Sequence, residues 1–489
     1  MLERLIDILA YDPASPLLFN TGLFLVLFVL FLTVYNGLSS YPRLKMIAAI
    51  LFSAYFYYKS SEWCVLILFG VCVFDYFLGI KLSRMSDVRG RKLAVAVNVI
   101  VNVGMLVWFK YFNMLADAFM SIISAEFRPL EVFLPAGISF FTFRSISYIV
   151  DIYRRELEPC RSFLDYTFYL TFFPPLLAGP VVRAKDMLPQ IAERPRATHE
   201  MCSEGLFLIM TGLIKKVVIA DYISGNFVDR IFDNPMLYSG FENLLGCVGF
   251  TVQLYCDFSG YSDMAIGIAL LLGYRFKDNF AAPFKAQSPT EFWRRWHISL
   301  STWLRDYIYI PLGGNRCSKT RAYFNQFITM VIGGLWHGAS WMYIIWGAYH
   351  GALLVLHKSI KKVWRLPDAM RERAETVFAN RLITFALVVI GFTFFRASSL
   401  EAVGQIFTQI FTNFHAGVAI SFIESYFLIV LAMAAGLAAH LSPRSWSAGA
   451  GRLYADMSAV WQAVFLAAII FLVVQTRQSD LVPFIYLQY

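Results

Sequence analysis

Apolar residues in this chain fall in long unbroken runs separated by short polar loops. Runs of spanning length occupy roughly 17–37, 46–60, 63–80, 93–112, 131–150, 205–220, 241–272, 380–396, 420–440 and 457–475. A hydrocarbon layer about 30 Å thick takes about 20 helical residues to cross, so the pattern predicts about 10–11 transmembrane helices. A membrane barrel would need alternating strands of about 10 residues, and the runs do not alternate. Two apolar stretches disturb the series. Residues 164–182 lie between two basic loops and contain Pro174, Pro175, Gly179 and Pro180. Residues 322–357 also join two basic regions, yet are too short for two full spans of about 20 residues and a turn. Both are expected to be re-entrant or broken, a state tolerated only inside protein or beside a watery cavity. Such elements often house transport or catalysis.

Composition narrows the class. Hydrophobic residues make up 58% and charged residues 15% of the 489 positions, against about 45–50% and about 25% in soluble domains. A water-exposed globule, a disordered chain, a collagen-like fibre and a disulfide framework are excluded. An all-α polytopic membrane protein remains. The net charge of +9 sits in short loops, which argues for orientation and anionic lipid contact, with no nucleic acid partner. Arg43 and Lys45, then Lys81, Arg84, Arg89, Arg91 and Lys92, then Arg154, Arg155 and Arg161 mark cytoplasmic loops. Lys358, Lys361, Lys362, Arg365, Arg371 and Arg373 form the richest cluster. This leaves 113–130 and 221–240 outside. Glu3, Asp7 and Asp12 against Arg4 have the wrong sign for a signal peptide, so the first run is expected to be retained, with its N-terminus outside. No internal repeat or long linker interrupts the chain. Residues 1–489 are expected to form one membrane-embedded domain, with a motif-rich core at about 130–357 and less specific flanks at 1–120 and 376–489. The seven scattered cysteines lack disulfide or zinc spacing, and Cys256 is expected to be a buried thiol.

Of seven histidines, His199, His357, His415 and His440 lie in charged loops or near helix ends and are expected in solvent. The other three fall in the most polar and aromatic part of the chain. Around His297, the residues Trp293, Trp296, Leu300, Trp303 and Tyr307 follow intervals of 3, 4, 3 and 4, one stripe of an α-helix. Arg294, His297, Ser301 and Arg305 form the neighbouring polar stripe. This predicts a continuous helix over 292–307 at the membrane interface, its indoles at headgroup depth and its cations toward water or an anionic ligand. Either a plain anchor or a ligand site fits. A helix stop and turn at 310–316 then presents Asn315 and Arg316.

His337 stands between glycines in Gly333-Gly334-Leu335-Trp336-His337-Gly338-Ala339-Ser340. A histidine in an apolar segment is costly unless paired or wetted, and flanking glycines admit another backbone or a substrate. A neutral imidazole there can take a proton from a hydroxyl; a core histidine with satisfied hydrogen bonds is the alternative. His350 is expected to support packing. No pair of these histidines has metal-ligand spacing, and no nucleotide loop or serine elbow occurs.

Several blocks resemble the membrane-bound O-acyltransferase family. Within it, they are similar to the branch of the alginate O-acetyltransferase membrane subunit and the D-alanyl transfer protein of teichoic acid. The blocks are Leu-Pro-Ala-Gly-Ile-Ser-Phe-Phe-Thr-Phe (134–143), Phe-Phe-Pro-Pro-Leu-Leu-Ala-Gly-Pro-Val-Val-Arg (172–183), Asp-Phe-Ser-Gly-Tyr-Ser-Asp-Met-Ala-Ile-Gly (257–267), residues 292–316, Gly-Leu-Trp-His-Gly-Ala (334–339) and Pro-Phe-Ile-Tyr-Leu-Gln-Tyr (483–489). The first 120 or so residues match only in hydropathy. The resemblance implies that His337 is the family's near-invariant histidine and His297 its second polar residue. Both would lie near mid-membrane, where an acceptor funnel meets a donor tunnel. It also implies an acyl thioester donor such as acetyl-coenzyme A, no bound cofactor or metal, and a multi-pass protein of the bacterial inner membrane. The acceptor would be an exported polysaccharide or an extracytoplasmic esterase-like partner protein. Arg294, Arg295, Trp296, Ser301, Arg305, Asp306, Asn315, Trp336, Ser340 and His350 are the expected binding or supporting residues. A flippase for a lipid-linked sugar or acyl group, and a non-catalytic scaffold of an export complex, are the rival readings. The scarcity of charge within the spans argues against the flippase.

Overall fold

A computed structural model of the chain describes residues 2–363, 372–476 and Phe484. Arg365, Arg371 and the closing block, apart from Phe484, lie outside the described residues. Among the described residues there are helices and turns but no strand, and each of the ten apolar runs contains helix, although 17–21 and 131–137 precede theirs. The chain is an all-α polytopic membrane protein. Pro42–Arg84, Val88–Ile122, Ala374–Arg396 and Ala459–Thr476 are long and apolar enough to cross a bilayer. Two bent pairs, Leu400–Thr412 with Ala416–Ser425 and Phe427–Leu441 with Ser445–Ala455, raise that number to six among the described residues. Other runs form shorter helices, such as Ile138–Tyr153 with 16 residues. Gly240–Leu271 has 32 residues but carries Asp257 and Asp263 in its body.

Contacts divide the described residues into two units, one from Met1–Gly205 and Ala265–Phe276, the other from Leu206–Met264 and Lys277–Leu487. In the first unit the proline-rich stretch is indeed broken. The helix Phe163–Thr171 ends where Phe172 begins an irregular segment reaching Arg183. Its backbone needs polar partners away from water. Arg144, only 1% exposed, donates from its guanidinium to the carbonyls of Tyr169, Leu170 and Pro175. Gly137 approaches Leu176 so closely that any side chain there would collide with backbone. Two of the sequence blocks therefore meet in a structural knot. Arg91, expected as a loop charge, is buried and ties Leu82 and Met85 to Ile152 and Tyr153 through their carbonyls. Its long stem lets a residue in the first turn of one helix serve the ends of two others.

In the second unit residues 322–357 belong to a helical hairpin. Lys319–His337 and Trp341–Val363 have 19 and 23 residues, because the helices continue past the apolar stretch into its polar flanks. The element is broken, as the sequence suggested, but it is not too short for two helices. Gly334 meets Tyr343 and Gly347 backbone to backbone, and a Cβ on Gly347 would lie 2.5 Å from the carbonyl oxygen of Met330. Small residues at such a seam let two helices pack in lipid at close range. The glycine before His337 thus admits its partner helix, and the Tyr343 ring fills the space beside Gly338.

The scarcity of charge inside the spans does not survive in the second unit. Lys216, 1% exposed, is bonded to Asp257 and lies 2.8 Å from Asp221. The neighbouring Lys215 pairs with Asp263 at 2.6 Å. Lys215 and Lys216 belong to the π-helical segment Ile214–Asp221, while their partners Asp257 and Asp263 lie on Gly240–Leu271. In sequence the two lysines look like the end of a span.

Candidate active site

The predicted continuous helix over 292–307 is two helices. Pro289–Arg295 stops at Trp296, Ile298–Leu304 begins after His297, and a π turn follows at Arg305–Tyr309. His297 sits between them in the left-handed conformation, with φ 41° and ψ 57°. Tertiary hydrogen bonds stabilise this strained backbone. The carbonyl of Asn279 accepts from the Ile298 amide, and its side-chain oxygen accepts from the amide and hydroxyl of Ser299. Those bonds outweigh the helical period that the stripe suggested. Trp296 and Trp303 are buried within the protein. Trp296 packs on Phe280 and Phe392 with ring centroids 5.1 and 5.0 Å away.

Asn279 also sets the state of His297. Its Nδ2 donates to Ser262 Oγ, so its Oδ1 faces His297 Nδ1 at 3.1 Å. A carbonyl oxygen only accepts, which makes Nδ1 the protonated nitrogen and leaves Nε2 with the lone pair. The ring is fully buried, edge-on to Phe258 at 4.7 Å and 5.9 Å from the Trp336 indole.

His337 is the last residue of Lys319–His337 and is 5% exposed. Its ring lies 5.0 Å from Trp336, 4.9 Å from Trp346 and 5.1 Å from Phe395. Both histidines therefore touch one indole, Trp336. In the break itself Ser340 accepts from the Met342 amide through its hydroxyl and from the Tyr343 amide through its carbonyl. His350 is 1% exposed against Trp346 and Trp293, at 4.9 and 5.2 Å. Its Nε2 has no hydrogen-bond partner among the described residues.

A cleft of about 200 Å³ opens beside the hairpin, lined by Trp293, Arg294, Ser301, Arg305 and Lys358 among others. Met330 also lines it, about 10 Å along the same helix from His337 at 1.5 Å per residue. From the cleft wall, Trp293 contacts Trp346 at 5.7 Å, and Trp346 contacts His337. Aromatic rings thus join the cleft to the buried histidine.

The remaining candidates divide. Ser301 also donates to the Trp296 carbonyl. Arg305 pairs with Asp306 at 2.7 Å. Arg295 turns away from the cleft to Glu291 and the Ala281 carbonyl. Asn315 is exposed and accepts from Tyr309, which itself lines the cleft. Sequence reasoning missed Asn279 and the cleft role of Lys358, which looked like one member of a loop cluster. Two solvent assignments also fail. His440 is buried and accepts the Phe284 amide at Nε2, and His357 is half-buried and bonded to Thr290 at 2.9 Å. Both sit near helix ends, but neighbouring elements cover them. His199 and His415 are exposed as expected.

A helical membrane unit with a buried histidine pair beside a cationic cleft has the parts of a membrane-embedded transferase. The pattern described as MBOAT, membrane-bound O-acyltransferase family, matches residues 52–399, and the chain belongs to that family. It is 41% identical over 405 residues to a Pseudomonas aeruginosa protein named "Probable alginate O-acetylase AlgI", covering 81% of this chain and 75% of the relative. It is 36% identical over 435 residues to the Helicobacter pylori peptidoglycan O-acetyltransferase, covering 82% and 80%. A Bacillus subtilis teichoic acid D-alanyltransferase is 28% identical over 271 residues, covering 53% of this chain and 68% of that one. The protein is an O-acyltransferase.

Proposed function

We propose that the protein moves an acyl group, most readily acetyl, from a cytoplasmic thioester such as acetyl-coenzyme A to a hydroxyl on the far side of a bacterial inner membrane. The observation that carries this reading is the pair of buried histidines on Trp336, joined through aromatic rings to a cleft bearing Arg294, Arg305 and Lys358. Guanidinium and ammonium groups hold a phosphate-bearing donor through charge-assisted hydrogen bonds. His337 acts as general base toward the acceptor hydroxyl. The hydroxyl oxygen attacks the thioester carbonyl, a C–O bond forms and the C–S bond breaks. The proton passes through His337 to the departing thiolate, so no proton is gained or lost. His297 presents Nε2 as an acceptor and aligns the hydroxyl. With Nδ1 committed to Asn279, it does not donate to the oxyanion. The acceptor is an exported polysaccharide, or an extracytoplasmic esterase-like partner that hands the group onward. Relatives named for alginate, peptidoglycan and teichoic acid support a cell-envelope glycan as the final destination. In proteoliposomes the thioester is consumed in step with acyl product; movement of substrate with the thioester intact would overturn the enzyme reading.

Two further outcomes are expected. Replacing both Arg294 and Arg305 with glutamine raises the donor KM, by about tenfold for each charge-assisted hydrogen bond removed. Arg295→Gln leaves that KM unchanged, because its partners are Glu291 and Ala281. An unchanged KM in the double variant would remove the cleft from donor binding. At His297 asparagine is the informative replacement, since it tolerates a left-handed backbone better than alanine does. His297→Asn lowers kcat while protein abundance in the membrane stays near wild type. A matched fall in abundance would make the residue structural only.

A further inference from the structure

A second and larger cavity, about 450 Å³, lies on the other side of the Trp341–Val363 helix. Leu353, Leu356, His357, Ile360 and Lys361 form one wall, and Asn380, Ile383, Thr384 and Leu387 of Ala374–Arg396 form the other. The two helices run in opposite directions, so the groove is graded from end to end. Lys361, Asn380 and Gln287 stand at its polar mouth, while Leu353 and Leu387 lie about 10–12 Å deeper at 1.5 Å per residue. The Tyr349 hydroxyl donates to the Leu387 carbonyl at that deep end. Leu356, Ile360 and Ile383 leave more than half of their surface uncovered. Among the described residues that line the groove, none is acidic.

We infer that this groove holds one anionic phospholipid, with the headgroup phosphate on Lys361 and an acyl chain along Leu353, Leu356, Ile383 and Leu387. Charge complementarity and the polar-to-apolar grading select that occupant. Ala374–Arg396 is long and apolar enough to cross the bilayer, and the Trp341–Val363 helix ends in the cationic Lys358, Lys361 and Lys362, where acidic headgroups gather. A free phosphate would leave the apolar wall uncovered, and a zwitterionic lipid would set its own cationic group against Lys361 and the neighbouring lysines. The groove also adjoins the cationic cleft. His357 lines the groove and is hydrogen-bonded to Thr290, which lines the cleft, and Leu353 and Leu354 face the two cavities in turn. A lipid seated on His357 therefore fixes the wall that the cleft shares.

The test uses the full chain in nanodiscs of phosphatidylglycerol or phosphatidylcholine with matched acyl chains, read by native mass spectrometry and by thermal melting. Wild type is expected to retain phosphatidylglycerol after detergent exchange and to melt higher in it. Lys361→Gln reduces that retention at least fivefold, and Ile383→Trp, which fills the apolar wall, does the same. Lys362→Gln, which changes the net charge equally outside the groove, leaves retention intact. Glycerol phosphate without acyl chains gives no melting shift. Equal retention of both lipids by wild type would overturn the proposal, as would equal loss in Lys361→Gln and Lys362→Gln, or protection by glycerol phosphate alone. These readouts require no acyl transfer, so they stand apart from the assignment of His337.

Discussion

His337→Gln is expected to abolish detectable acyl transfer while the protein still accumulates in the membrane. Glutamine approaches the volume of the imidazole and preserves much of the packing against Trp336, Trp346 and Phe395, but it cannot take a proton from a hydroxyl. Loss of a general base costs about 10²–10⁴ in rate, and in the proposed step the same imidazole also returns the proton to the thiolate, so the expected loss lies at or beyond the upper end. The measurement is mass spectrometry of the acylated cell-envelope glycan, set against immunodetection of the protein in membranes. Full acylation by the variant would sink the assignment. His350→Gln is the control. Its ring packs on Trp346 and Trp293, the rings that link the cleft to His337, but it takes no part in the proposed proton transfer, so with that packing largely kept it lowers activity only in proportion to protein level.

The second large effect concerns stability. Lys216→Met leaves Asp221 and Asp257 buried without the cation that lies between them. Removing one partner of a buried ion pair costs about 3–5 kcal/mol, since the remaining charge is stranded in a medium that solvates it poorly. A loss of that size is a large share of the stability of a folded domain. Lys216→Met should therefore be nearly absent from membranes, or melt far below wild type in detergent. Adding Asp221→Asn and Asp257→Asn recovers most of the protein, because neutral groups are cheaper to bury than stranded charges. If Lys216→Met accumulates and melts like wild type, the pairing contributes nothing to the fold.

The hydrophobic runs located the helices because burial in lipid is a property of composition, which a sequence displays directly. That 322–357 is broken, and that the chain turns irregular within 164–182, was also legible, the latter because proline acts on its own backbone. What escaped were features decided by distant partners. The kink at His297 depends on Asn279, 18 residues earlier, whose hydrogen bonds offset the helical period of the tryptophan stripe. Arg295 and Arg294 are adjacent and chemically alike, yet only the first finds Glu291 one turn away. His440 resembles a helix-end histidine until Tyr255 and Phe284 close over it. The motif around His337 was visible as chemistry, but the shared indole of Trp336 needed the fold to bring two separate blocks together.

The π-helical segment Ile214–Asp221 has a consequence for how the chain tolerates change in length. A π turn holds more residues than an α turn, and such extra residues carry Lys215, Lys216 and Asp221 to their present bearings. Deleting one residue there would let the helix relax to α geometry, rotating everything beyond it by about 100°. Asp221 would then leave Lys216, and Ser224 would leave Gln253, to which it is bonded at 2.8 Å, although no polar residue had been substituted. Insertions and deletions in this short stretch should be as damaging as the loss of its charges, and homologous chains should vary in its side chains before they vary in its count.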